Sequence, residues 1–289
     1  MRGAAITAPR HRFKATAMRK TVRPAGSGAS QHRPSKPGGV SLNRVFSKLG
    51  IASRGAADDF IRAGRVRVDG RIVLQPDLRI DMDRADILLD GHPVGAQAPI
   101  YLMVNKPRGL VTTLSDPEGR DTIYRCLDGL GLPHVSPVGR LDKASEGLIL
   151  MTNDTRFSQW LLDPETGPEK TYHVQVDRLP APDLSERLAE GIVDQGEMLR
   201  ATGARLLRSG TRNAWLEIVL DEGRNRHIRR LLAAFDMGVL RLVRVAIGPL
   251  ALGDLPKGTA RTLTPLELLS LAGGNSSHLS QEPAKRAGG

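Results

Sequence analysis

The chain has 289 residues, of which 40% are hydrophobic and 3% aromatic, with a formal net charge of +11. That length holds two domains around an aliphatic core, and no apolar run approaches the roughly 18 residues that span a bilayer as a helix. The single cysteine, Cys126, excludes an intrachain disulfide and a cysteine-based zinc cluster.

Residues 1–40 hold nine Lys/Arg and no Asp/Glu, and show no hydrophobic period. They read as a disordered basic tail suited to a polyanion. An organellar transit peptide and a start at Met18 are the alternatives. With no secretory-type apolar segment, a cytoplasmic protein is expected, with no membrane partner.

From Ser41 the pattern changes. Leu42, Val45, Phe46 and Leu49 fall at helical spacing and Gly50 ends the helix. Ser53 then caps a second helix through Ala56, Ala57, Phe60 and Ile61, which stops at Gly64. Val66, Val68, Ile72 and Leu74 alternate about Asp69-Gly70, a hairpin signal. The positions left outside this core include Arg44, Lys48, Arg54, Arg62, Arg65 and Arg67; residues 41–80 hold eight basic and four acidic side chains. As a set they suit phosphate contacts, which position RNA without reading its sequence. One more strand and a Gly/Ala/Pro linker bring this unit to residue 97.

A second unit is expected over 99–270. Tyr101–Lys106 reads as a strand, Leu110–Thr113 as another, and Ile123–Leu127 as an amphipathic helix burying Cys126 as a small hydrophobe. The centre is Val138–Asp154, VGRLDKASEGLILMTND: a strand entered from His134, a tight loop carrying Asp142 between Gly139 and Gly147, and the buried strand Leu148–Met151. A loop acid in that setting is a candidate catalyst, although most such aspartates bond only nearby backbone N–H groups. A short helix over Arg156–Leu162, a strand over Glu169–Val176, a helix over Leu184–Ile192, a strand over Ala214–Leu220, and a basic helix opened by Glu222–Leu232 follow. The unit closes over Leu242–Leu250, Leu255–Gly258 and Arg261–Thr264, and 271–289 read as a disordered tail.

The residues themselves add a resemblance. Gly-Arg-Leu-Asp followed by Ser145-Glu146-Gly147-Leu148 and Thr152-Asn153-Asp154 resembles the signature of the pseudouridine synthases that modify ribosomal RNA. Four further stretches match the same branch, from about residue 41 to 268. The two helices and hairpin resemble the small alpha-L RNA-binding domain first named in a primary-binding protein of the small ribosomal subunit. Asn105–Gly109 (NKPRG) resembles the family's first motif, in which Lys106 is a scaffold or a phosphate contact. Lys170-Thr171-Tyr172 resembles the motif that brings the active-site tyrosine. Arg224–Arg230 (RNRHIRR) resembles the third, with Arg229 at the position whose cation faces the catalytic aspartate. His227 stands where the family usually has glutamine.

The resemblance implies an α+β fold: a small alpha-L domain, then a catalytic domain with a mixed, mainly antiparallel sheet and a cleft across its middle. It also implies the chemistry, in which the N1–C1′ bond of a uridine breaks, the base turns, and C5 takes its place. This is redox neutral, so no cofactor or metal is expected. It needs a carboxylate, a closed pocket and a nucleotide drawn from its stack. Asp142 supplies the carboxylate, Tyr172 a stacking platform, Ile228 an apolar wall, and Arg140 positive charge at the lip. Burial beneath a base raises a carboxylate's pKa, while a cation within about 4–6 Å lowers it by roughly 1–3 units, the direction a nucleophile requires of Arg229. The expected partner is ribosomal RNA, most of all 23S, with 16S rRNA or tRNA as the alternatives, and the chain is expected to act as a monomer.

Two other classes compete. Asp142 and Glu146 could form the carboxylate pair of a glycoside hydrolase, but one must then stay protonated, against the charge of Arg140 and Lys143. A non-catalytic ribosome-assembly factor is the other, opposed by the presence of Asp142, Tyr172 and Arg229 together.

Overall fold

The computed structural model describes residues 39–273 and Leu279. The tails expected over 1–40 and 271–289 otherwise lie outside the described residues; Leu271 ends a helix and is buried. No helix among the described residues is long and apolar enough to cross a membrane.

Two helices, α1 (Leu42–Lys48) and α2 (Arg54–Arg62), open the fold. Ser53 caps α2 by accepting from the Ala56 N–H at 3.1 Å. Together they cover β1 (Val66–Val68) and its antiparallel partner β2 (Ile87–Leu89), around Leu42, Val45, Phe46, Ala57, Ile61, Val66 and Val68. The hairpin forms about Asp69-Gly70, but it is short, and Ile72 and Leu74 are exposed. The reason is that β2 pairs with the other side of β1 and supplies Ile87 to the core, so the returning strand is an edge. Where one strand is expected before residue 98, Arg79–Ile80, Ile87–Leu89 and His92–Pro93 all pair.

The second part is a nine-stranded sheet. Its path through β3 (Tyr101–Lys106), β4 (Glu146–Thr152), β5 (Lys170–Val176), β6 (Gly203–Ser209), β7 (Ala214–Leu220), β8 (Val239–Ile247) and β9 (Ala260–Thr262) runs β6-β7-β5-β8-β4-β3-β9. Leu250–Ala251 adds to β8 and Ser136–Pro137 to β4. Within this sheet, among the described residues, only β8 and β4 pair in parallel; the other strand pairs are antiparallel.

Every residue of β3 and β4 is buried, as the unbroken apolar run Leu148–Met151 requires of a strand covered on both faces. One face packs Leu102, Val104, Ile149 and Met151 under helices α4 (Leu184–Glu190) and α5 (His227–Ala233). The other packs Met103, Leu148 and Leu150 under α3 (Thr155–Leu162) and α6 (Pro265–Leu271). By contrast β5 and β7 alternate buried and half-buried residues, so only their inner face is core. The two parts of the chain meet at Asn153, which bonds the Ile100 N–H and the Ala98 carbonyl while Gly50 rests against its side chain.

Two expected elements differ. Leu110–Thr113 is not a strand: Val111 makes a single bridge to Thr122, because Thr112 turns inward to bond the central loop. Ile123–Leu127 is a five-residue 3₁₀ turn that still buries Ile123 and Cys126.

Candidate active site

The central loop is held from three directions. The Lys106 ammonium, fully buried at the end of β3, donates to the carbonyls of Ser145 (2.9 Å), Asp142 (3.2 Å) and Pro107 (3.2 Å). The Thr112 hydroxyl donates to the Leu141 carbonyl at 2.7 Å. The Gly109 N–H donates to the Lys143 carbonyl at 2.8 Å. Burial drops the Lys106 pKa to about 8, with the Cys126, Asp142 and Glu146 charges pulling the other way. Lys106 is therefore a scaffold, its donors directed at backbone and not at solvent.

The loop presents Asp142 to a cleft of about 430 Å³, larger than a pyrimidine needs and within the range of small-ligand sites. The Asp142 carboxylate makes no hydrogen bond or ion pair with a described residue, although its charge acts on both Lys106 and Arg229. Tyr172 from β5 and Ile228 from α5, both buried, line the same cleft, and exposed Arg140 stands at its lip.

Arg229 is not among the lining residues. It lies behind the loop, donating to the carbonyls of Val239 (3.1 Å) and Ala144 (3.4 Å), with its Nε buried and unpartnered. Burial lowers its pKa from the usual arginine value, Arg226 adds to that, and Asp142 opposes it. It thus acts on Asp142 through space and through the Ala144 backbone, without a direct ion pair.

Glu146 parts company with Asp142. It does not reach the cleft; Arg241 holds its two oxygens at 3.1 and 3.2 Å and Lys257 one of them at 2.5 Å. Burial pushes its pKa up, but these bonds and charges outweigh that and leave it below the usual value. A carboxylate held ionised and turned away cannot be the protonated acid of a hydrolase pair.

The motifs assign no role to three further cleft residues. His227 is 3% exposed, and among the described residues neither ring nitrogen makes a hydrogen bond of good geometry, the Arg200 backbone being a polar neighbour; burial lowers its pKa, so the neutral ring is favoured. Lys170 reaches the Asp221 carbonyl at 3.3 Å and faces the cleft. Arg244 on β8 lies opposite Tyr172. Its Nε donates to the Leu148 carbonyl at 2.6 Å while one Nη is buried without a partner among the described residues. The sequence did hold a signal for it: Leu242 and Arg244 share parity on a strand, which sets an arginine on the core face. Gly147 makes this closeness possible. Its φ is +102°, and a Cβ there would run into the Arg244 backbone.

The six basic residues named on the small domain are all exposed. Arg44, Lys48 and Arg54 have no partner among the described residues. The other three are engaged within the fold. Arg62 pairs with Asp58 at 3.5 Å, and Arg67 donates to the Gly70 carbonyl at 3.2 Å. Arg65 lies over the Phe60 ring and pairs with Asp90 at 2.5 Å.

Comparison with known proteins bears on this geometry. A family described as RNA pseudouridylate synthase matches residues 100–234, and the S4 domain matches residues 41–84. An uncharacterized RNA pseudouridine synthase of Aquifex aeolicus (strain VF5) is 35% identical over 233 residues, 80% of this chain and 93% of that protein. The ribosomal large subunit pseudouridine synthase B of Bacillus subtilis (strain 168) is 33% identical over 233 residues, 80% of this chain and 94% of that protein. A crystal structure of a pseudouridylate synthase superposes with a TM-score of 0.57 at 29% identity, covering 80% of this chain and 99% of that one.

Proposed function

Because this chain belongs to the RNA pseudouridine synthases, with an S4 domain ahead of its catalytic body, we propose that it isomerises one uridine of 23S ribosomal RNA with Asp142 as nucleophile. The observation that carries this reading is the unpartnered Asp142 carboxylate, in a cleft lined by Tyr172 and Ile228, on a loop fixed by Lys106. Such a carboxylate is free to attack, and the loop fixes where it does so. The choice of 23S rRNA rests on likeness to the B. subtilis large-subunit enzyme and on the form of the SEGLILMTND stretch.

In this reading the target nucleotide leaves its stack, a step that costs a few kcal/mol. Tyr172 offers a face for the base and Ile228 closes the pocket, which keeps the detached uracil from escaping. Arg140 at the lip meets the backbone. Arg44, Lys48 and Arg54 hold RNA electrostatically, and Arg62, Arg65 and Arg67 join them by exchanging internal partners for phosphate. The enzyme acts as a monomer in the cytoplasm, where ribosomes are assembled, on free rRNA or a pre-ribosomal particle.

The test is pseudouridine mapping of rRNA from cells lacking the gene, complemented with wild type or Asp142→Asn. One 23S site should vanish and return only with wild type, the variant losing at least about 10⁴-fold in rate. Return of the site with the variant would remove Asp142 from the chemistry. Loss at a 16S or tRNA uridine would reassign the substrate.

A further inference from the structure

Arg244 stands out among the cationic side chains of the cleft. It is 6% exposed, lines the cleft beside Tyr172, has its Nε committed to the Leu148 carbonyl, and keeps one Nη buried with no acceptor among the described residues. An unmet charged donor in such a place is costly unless a ligand completes it. Lys170 faces the same cleft and is near enough for the two cations to repel each other. Phosphates reach a protein from its surface, where exposed Arg140 and Arg226 lie; Arg244 is buried and lines the cleft along with Leu150, Leu242 and Ile247. Its position therefore fits the base, not the backbone.

We propose that Arg244, through this unpartnered Nη and with Lys170 beside it, donates to a carbonyl oxygen of the extracted uracil and carries the negative charge that the base holds while detached. This rests on the reading of the protein as a uridine isomerase. As Asp142 takes up C1′, the C1′–N1 bond breaks with both electrons passing to the base, and the charge spreads from N1 onto O2 and O4. The base turns, the C5 electron pair forms the new bond to C1′, and the Asp142 carboxylate leaves. N1 gains a proton and C5 loses one, so atoms and charge balance. A fixed cation at the oxygens is worth most at the moment the base is an anion.

The inference makes Arg244 sensitive to how good a leaving group the base is. A fluorine at C5 withdraws electrons and makes the detached base a weaker base, which needs less help. The experiment is single-turnover C1′–N1 cleavage on a 23S rRNA transcript made with either uridine or 5-fluorouridine triphosphate, using wild type, R244Q and R244K, with RNA affinity measured in parallel. R244Q is expected to slow cleavage about 10²- to 10³-fold on the uridine transcript and less than about 10-fold on the fluorinated one. R244K should recover part of the rate, and RNA affinity should hardly change. Equal deficits on the two transcripts, or a loss confined to RNA affinity, would overturn the inference while leaving the isomerase reading intact. Wild type that converts no uridine in the transcript would overturn both. If R244Q does not fold, as judged by its thermal melt, K170Q is read by the same two-transcript comparison, with the same outcomes for and against.

Discussion

Arginine does different work in the small domain and in the cleft. On the small domain it is exposed, and its partners, where it has them, are surface acids such as Asp58 and Asp90 or a turn carbonyl. At the cleft, Arg244 on its lining and Arg229 behind the central loop are tied to backbone carbonyls with buried nitrogens left over. The first arrangement attracts a polyanion from any direction and yields easily to it. The second cannot move, so it selects for a group that arrives at one place. Under the proposed function, charge is spread where RNA would be gathered and fixed where a nucleotide would be handled.

That contrast makes the cleft the fragile region, and Lys106 is the place to break it. Lys106→Met leaves two carbonyls of the central loop, Asp142 and Ser145, and that of Pro107 without their donor, at about 1–3 kcal/mol for each group left dry; kcat should fall more than 100-fold with RNA affinity retained. The pH dependence has a definite sign. Because the folded pKa is about 8 and the ordinary value 10.5, the folded state disfavours the proton. The cost of burying the charge is present in full below about pH 8 and is relieved as pH rises toward 10.5. Wild type should therefore gain stability relative to Lys106→Met across that window in urea unfolding. A flat difference would mean the ammonium is not buried as charge.

A smaller effect is expected at Glu146. Glu146→Gln keeps the shape but loses the ionised partner of Arg241 and Lys257. It should lower stability by about 1–3 kcal/mol and leave the rate within about tenfold of wild type. A loss as deep as that of Asp142→Asn would restore the two-carboxylate reading. The smallest effects belong to the small domain. Removing Arg44, Lys48 or Arg54 singly should weaken binding to all RNA alike and flatten the log–log salt dependence by about 0.7 to 0.9 each. Arg65→Ala should do less, since Asp90 and Phe60 already occupy that side chain. An Arg65 effect larger than that of Arg54 would erase the distinction between free and engaged cations.

Much of this was legible in the chain. Helical spacing of Leu42, Val45 and Phe46, the Ser53 cap and the Gly50 stop predict α1 and α2, and unbroken apolar runs predict β3 and β4. All are local signals, carried by period and by residue chemistry. Asp142, Tyr172 and Ile228 were legible from motifs, and they do meet at one cleft. Leu110–Thr113 was misread because its β-branched residues suit a strand, while Thr112 instead gives its hydroxyl to Leu141, 29 positions away. Ile72 and Leu74 were misread because alternation marks two faces without saying whether the second is covered.

By itself, then, the sequence determined the order of elements, the basic character of the small domain and the residues able to do chemistry, because propensity, periodicity and charge act over a few neighbours. Only tertiary structure decided which of two carboxylates four residues apart faces the cleft. Asp142 lies on a loop held by Lys106, while Glu146 begins a strand whose register delivers it to Arg241 and Lys257 from β8 and beyond. It decided the same for Arg244, one arginine among many in the chain, which acquires its buried donor only because β8 lies between β5 and β4, opposite Tyr172 and pressed onto Gly147. Such contacts join residues about a hundred positions apart, and no local pattern records them.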